Sequence, residues 1–140
     1  MTDLVTIGSQ LIKQRLGLDL SPLEVTRNDR GNVVSATFQI ENAQIRFLNE
    51  HGEDFVDLAC SFEPAQFFIF DDVDVAFGWK TLEDVLAKKS PEPVGAVFAR
   101  FAENRAELMA ALDFSTYRKT IDQLKRVRQL REQTFVDRLR

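Results

Sequence analysis

Residues 33–79 read VVSATFQIENAQIRFLNEHGEDFVDLACSFEPAQFFIFDDVDVAFGW, and their patterning decides the fold. The hydrophobic period here is two. Val34, Ala36, Phe38 and Ile40 share one face while Ser35, Thr37 and Gln39 share the other, as in a half-buried strand. Glu41-Asn42 makes a tight turn into a second strand over 44–48, where Ile45 and Phe47 lie opposite Gln44 and Arg46. Asn49-Glu50-His51-Gly52 forms the next hairpin loop, with glycine supplying the positive φ such a turn demands. A third strand over 55–62 sets Val56, Leu58, Cys60 and Phe62 against Asp57, Ala59 and Ser61. Strands joined by loops this short form an antiparallel meander. Pro64 interrupts it, and the apolar run 67–70 reads as a buried fourth strand. Residues 71–75 extend that strand, form a loop or make a helical turn, and the pattern leaves the choice open.

Working outward, Leu4, Ile7, Leu11, Ile12 and Leu16 follow helical spacing between a cap at Asp3 or Thr6 and a stop at Gly17. Residues 23–26 suit a short edge strand before the turn cluster Asn28-Asp29-Arg30-Gly31. Thr81-Leu82-Glu83-Asp84 has a capping-box pattern that opens a short helix reaching about residue 89. Ser90-Pro91-Glu92-Pro93 then punctuates the chain. Beyond it Val97, Phe98, Phe101, Leu108 and Leu112 recur at helical spacing, and a further helix from Ser115 or Thr116 carries Tyr117, Ile121, Leu124, Val127, Leu130 and Phe135 inward. Two helices or one continuous helix both fit 94–140. The predicted fold is α+β: an antiparallel meander of three to five strands, with an N-terminal helix and a C-terminal helical pair packed against it. Residues 1–140 read as a single domain, a helix-plus-sheet region (1–89) with a helical tail (94–140) packed on it.

A chain of 140 residues buries roughly two-thirds of its unfolded surface, so one core suffices without disulfide or metal. Twelve phenylalanines imply a bulky core with few polar handles. No apolar run approaches the roughly 20 residues of a membrane-spanning helix. Met1-Thr2-Asp3-Leu4 lacks a basic leader start, and the single cysteine forms no internal bridge, so a cytoplasmic location is expected.

The chemistry-bearing residues are few. His51, the only histidine, sits in a hairpin loop with no nucleophile motif beside it and reads as an exposed loop residue. Cys60 falls on an apolar strand face, where a free thiol behaves as a small hydrophobe. Asp71, Asp72 and Asp74 invite a hard-cation reading, but an EF-hand frame from Asp72 fails at Ala76, which offers no ligand oxygen, and at Phe77, where glycine is needed. No glycine pattern cradles a phosphate. No catalysis, metal or cofactor is expected.

Charge is the informative feature. Residues 1–114 carry ten Lys/Arg against nineteen Asp/Glu, whereas residues 115–140 carry eight against three. Between Phe47 and Trp79 stand eight carboxylates, Glu50, Glu53, Asp54, Asp57, Glu63, Asp71, Asp72 and Asp74, and no Lys or Arg. Like charges so placed repel unless something positive approaches. The candidates are a basic partner and the chain's own Arg118, Lys119, Lys125, Arg126, Arg128 and Arg131. Nucleic acid fits those arginines poorly, since the protein is acidic overall, with a pI near 5.1, and lacks interleaved aromatics for stacking.

The meander 45–62, followed by Trp79-Lys80-Thr81-Leu82 opening a short helix, resembles in layout the small immunity proteins of bacterial polymorphic and contact-dependent toxin systems. The resemblance implies a non-catalytic inhibitor that occludes a toxin's active site or a nearby surface. Glu50, Glu53, Asp54, Asp57, Asp71, Asp72 and Asp74 would then meet a basic cleft. A second expectation is a secretion-type chaperone or adaptor holding a partner segment, although such chaperones usually return to strands after a middle helix.

Overall fold

A computed structural model describes residues 3–140; Met1 and Thr2, part of the stretch read for a leader, lie outside the described residues. Helix α1 (Leu4–Leu16) starts at Asp3, whose carboxylate accepts from the Thr6 N–H at 2.9 Å, and stops at Gly17, which takes φ 69° and donates to the Lys13 carbonyl. Leu4, Gly8 and Ile12, spaced by four, form its buried face on the sheet. Gly8 decides how closely the helix approaches, because a Cβ there would lie 2.5 Å from Phe38 Cε2 and 2.9 Å from Phe47 Cδ2.

The sheet contains β1 (Glu24–Arg27), β2 (Val33–Ile40), β3 (Ala43–Glu50), β4 (Glu53–Cys60) and β5 (Phe67–Ile69), in sequence order with every neighbour antiparallel. Short links keep each strand beside the one before it. His51 and Gly52 both adopt positive φ (52° and 81°), the two-residue mirror turn that matches strand twist. The register sets Arg46 opposite Asp57 and Leu48 opposite Phe55. Phe38, Ile45, Phe47, Leu58 and Cys60 point into the core, and Thr37, Gln44, Arg46 and Asp57 lie on the other face. Three residues expected inward do not go inward: Leu130 and Phe135, near the end of the chain's last helix, are 54% and 56% exposed because the helix runs past the core there, and Phe62 is the third. Strand β4 ends at Cys60 in a turn closed by Glu63 N–H to the Cys60 carbonyl, so Phe62 is left 41% exposed, edge-on to Phe114 and tilted against Tyr117.

Strand β5 is only three residues long because Phe70 turns at once into α2 (Phe70–Ala76). Of the three alternatives for 71–75, the helical one holds. The capping box at Thr81 and Asp84 is complete, with both hydrogen bonds at 3.1 Å, and it opens α3 (Leu82–Ala87).

The helical tail has three segments rather than two: α4 (Val94–Glu103), α5 (Arg105–Ala111) and α6 (Tyr117–Arg138). The first break is at Asn104, whose side chain donates back to the Arg100 carbonyl. The second is a turn in which the Thr116 hydroxyl donates to the Ala110 carbonyl at 2.7 Å. One cluster of buried side chains joins sheet and tail, with the Phe98 ring 5.9 Å from Phe47 and 5.3 Å from Phe101.

Candidate functional site

The seven carboxylates expected to meet a partner are divided by the fold into two groups. Four of them are held by cations from elsewhere in the chain. Asp72, 1% exposed in α2, accepts from Arg131 of α6 at 2.6 and 3.1 Å. Asp74, fully buried two positions further along, accepts from Arg100 of α4 at 2.7 and 2.8 Å. Asp71 pairs with Lys88 at 2.6 Å. Asp57, 5% exposed, receives Arg46 in fork geometry at 2.9 and 2.6 Å across the β3–β4 ladder. These four are internal fastenings, and burial of Asp57, Asp72 and Asp74 corrects the expectation that those three offer free charge to a partner, whereas Asp71 is paired with Lys88 but still partly exposed. The basic helix acts as a clasp through Arg131, while Lys119, Lys125 and Arg126 make no ion pair among the described residues.

Arg100 is the hub of the larger network. It also binds Glu92 at 3.0 and 2.8 Å, and Lys80 reaches the same carboxylate at 2.5 Å. Hydrogen bonds from Arg100 and Lys80 outweigh partial burial and hold Glu92 down to about 2. Burial pushes the carboxyl of Asp74 upward, against the pull of Arg100, and does the same for Asp57 against Arg46. For Arg100, burial opposes the charge, but the hydrogen bonds it donates to its two carboxylate partners prevail and raise its value. Fixing Glu92 in this way pins the Pro91–Pro93 segment against α4.

The second group sits at the β3–β4 turn. Glu50 and Glu53 are exposed on either side of His51-Gly52 and form no ion pair among the described residues. Asp54 is half-buried and accepts only from Asn49 Nδ2 at 2.8 Å. Three carboxylates without a cation thus crown one hairpin. Glu63 lies apart, after the end of β4.

Beside this hairpin opens a cleft of about 400 Å³ between the sheet and residues 88–92. Leu48, Phe55 and Ile69 supply its apolar surface on the outer sheet face, and Val56, Phe70 and Val97 supply it on the inner side. The Lys88–Asp71 and Arg100–Glu92 pairs brace the opposite wall, and Glu50 stands at the mouth. Arg46 also lines the cleft, and its guanidinium lies 3.9 Å from the centre of the Phe67 ring.

No family model matches the chain, and no curated protein or solved structure is significantly similar to it.

The remaining chemistry-bearing residues fall where folding alone accounts for them. Cys60 is 1% exposed with its sulfur 3.7 Å from the Leu112 carbonyl, and burial pushes its thiol up, away from the reactive thiolate. His51 occupies the left-handed position of the turn, exposed. Asp72 and Asp74 spend their oxygens on arginines, and no group of three or more His, Cys, Asp or Glu among the described residues is placed to hold a metal ion. No described helix is long and apolar enough to cross a membrane.

The sequence reading missed the arginines more than the acids. Arg46 stands one residue before the cation-free stretch 47–79, and the two-residue turn at His51-Gly52 already implies its pairing with Asp57. Arg100 and Arg131 reach Asp74 and Asp72 from 26 and 59 positions away, and no local pattern announces such contacts.

Proposed function

We propose that this protein is a non-catalytic binding protein that engages a basic surface of a partner with the β3–β4 hairpin, as a cytoplasmic immunity protein engages its toxin. The observation that carries this reading is the set Glu50, Glu53 and Asp54, three carboxylates on one rigid turn with no internal cation, beside an open apolar cleft. Of the other carboxylates of the stretch, Asp57, Asp71, Asp72 and Asp74 have their own counter-ions and Glu63 stands alone, so the hairpin is where uncompensated negative charge is concentrated. Such a site speeds encounter with a cationic cleft and orients it, while neighbouring apolar surface supplies the affinity.

The test has two parts. Proteins encoded next to this one are screened by co-purification and calorimetry, and the absence of any binding neighbour would refute the toxin-inhibitor reading. With a binding neighbour in hand, Glu53→Lys combined with Asp54→Lys should slow association about tenfold at low salt and flatten its salt dependence. Stopped-flow on-rates unchanged from the parent would show the hairpin to be ordinary surface.

A further inference from the structure

Helix α6 outruns the core. Its buried residues, Tyr117, Thr120, Ile121 and Leu124, all lie in its first half, and beyond Leu124 no side chain of the helix is buried. Phe135, Val136 and Leu139 stand there exposed by 56%, 43% and 71%. Residues three, four and seven positions apart share a helix face, so these three form one apolar stripe that Glu132 opens and that Arg138 and Arg140 flank at its far end. These end charges are only loosely engaged. Glu132 approaches Arg131 at 4.0 Å, the Arg138–Glu83 pair lies in solvent, and Arg140 makes no ion pair among the described residues.

The cleft beside the β3–β4 hairpin has the opposite order. Leu48, Phe55, Ile69 and Val97 give it apolar walls, and Glu50 stands at its mouth with Glu53 across the turn. Lys89, which makes no ion pair among the described residues, lines the wall formed by 88–92. Base, apolar surface and acid in the cleft thus answer acid, apolar surface and base on the helix. No residue of α6 lines the cleft of its own chain, so the helix does not serve it from within. The two halves nevertheless lie close together. Helix α3 connects them, since Glu83 in its first turn takes Arg138 and the residues directly after it form the cleft wall. Its six residues span about 9 Å.

We propose that two copies of this chain form a two-fold dimer in which each seats the end of α6 in the other's cleft. Phe135 and Leu139 pack between Leu48, Phe55, Ile69 and Val97, Arg138 and Arg140 meet Glu50 and Glu53, and Lys89 meets Glu132. Proximity of helix end and cleft within one copy lets both exchanges form at once about a two-fold axis. The charge pairs set the orientation, and the apolar side chains supply the affinity. The dimer covers the hairpin that serves a partner in the function proposed above, so a second copy and a partner compete for it.

Sedimentation velocity of the full-length protein up to about 1 mM should show a monomer–dimer equilibrium, weakened at least tenfold between about 0.05 and about 0.5 M NaCl. Glu50→Lys with Glu53→Lys in one variant, and Arg138→Glu with Arg140→Glu in another, alter only exposed side chains, so each variant should keep the parent circular dichroism and be monomeric. Mixed in equal amounts the two should dimerise again, because each altered half then meets a complementary one. Zero-length carbodiimide treatment of mixed light and heavy-isotope protein should join Lys89 of one copy to Glu132 of the other. If a variant does not fold, the crosslink decides. A parent monomeric at every concentration, a dimer that survives in both variants, a mixture that stays monomeric, or a Lys89–Glu132 link confined to single copies would each overturn the dimer. Monomeric protein that instead sediments with phosphatidylserine vesicles would assign the helix end to a lipid surface and overturn it as well. A monomeric parent leaves the hairpin's proposed partner standing, and a failed co-purification screen leaves the dimer standing.

Discussion

Replacing Arg100 with Met tests whether the aspartates of α2 are structural. Arg100 makes four charge-assisted contacts, two to Asp74 at 2.7 and 2.8 Å and two to Glu92 at 3.0 and 2.8 Å. Methionine keeps most of the buried stem but leaves a carboxylate of zero exposure with no counter-ion. Breaking a buried pair from one side costs about 3–5 kcal/mol, mostly as the penalty of the stranded charge. For a chain of this size that lowers Tm by roughly 10–15 °C. The deficit should depend on pH. Burial already raises the Asp74 carboxyl, and without Arg100 it rises further above its unfolded value. A group whose folded value is raised takes up its proton first in the folded state, so the variant regains stability as pH falls from 7 toward 5. Asp74→Leu combined with Arg100→Met removes the stranded charge and should recover all but about 1–2 kcal/mol of the loss. Urea unfolding followed by circular dichroism at pH 7 and pH 5 measures each quantity. A loss below about 1 kcal/mol at pH 7, or a deficit independent of pH, would refute the assignment of Asp74 as an internal fastening.

Two further outcomes follow from the same geometry. Glu92 is held down to about 2 in the folded protein, so its contribution is complete above its ordinary value and is lost as pH falls from about 4.5 to about 2. Glu92→Gln should flatten the stability-versus-pH curve in that window and cost about 1–2 kcal/mol at pH 7, the full shift being discounted because the side chain is 24% exposed; parallel curves for parent and variant would contradict this. Gly8→Ala places a methyl group against the Phe38 and Phe47 rings, and the overpacking should exceed the gain in helix propensity by about 1 kcal/mol. A raised Tm in calorimetry would mean that α1 can move away from the sheet at little cost.

Most of the architecture was legible because it follows from local rules. The period-two runs, the turn residues at Glu41-Asn42 and His51-Gly52, and the caps at Asp3 and Thr81 each act within a few positions of themselves. The limits of some elements were not legible. Strand β4 stops at Cys60 and strand β5 at Ile69, since the apolar residues Phe62 and Phe70 serve an aromatic stack and a helix start in place of a ladder. The break at Asn104 was likewise hidden, because neither glycine nor proline marks it.

The acidic stretch shows where reading along the chain gives way to reading across it. Composition alone established that eight carboxylates fall between Phe47 and Trp79 without a cation among them, and alternation alone established which strand faces are apolar. Whether a given carboxylate meets solvent or a guanidinium was decided only by tertiary packing, which carries Arg100 to Asp74 and Arg131 to Asp72 and leaves Glu50, Glu53 and Asp54 without a cation. Hydrophobic periodicity is a property of neighbours in sequence. Charge pairing depends on distances of 3–4 Å that the folded chain sets between residues far apart, so the site emerges only with the fold.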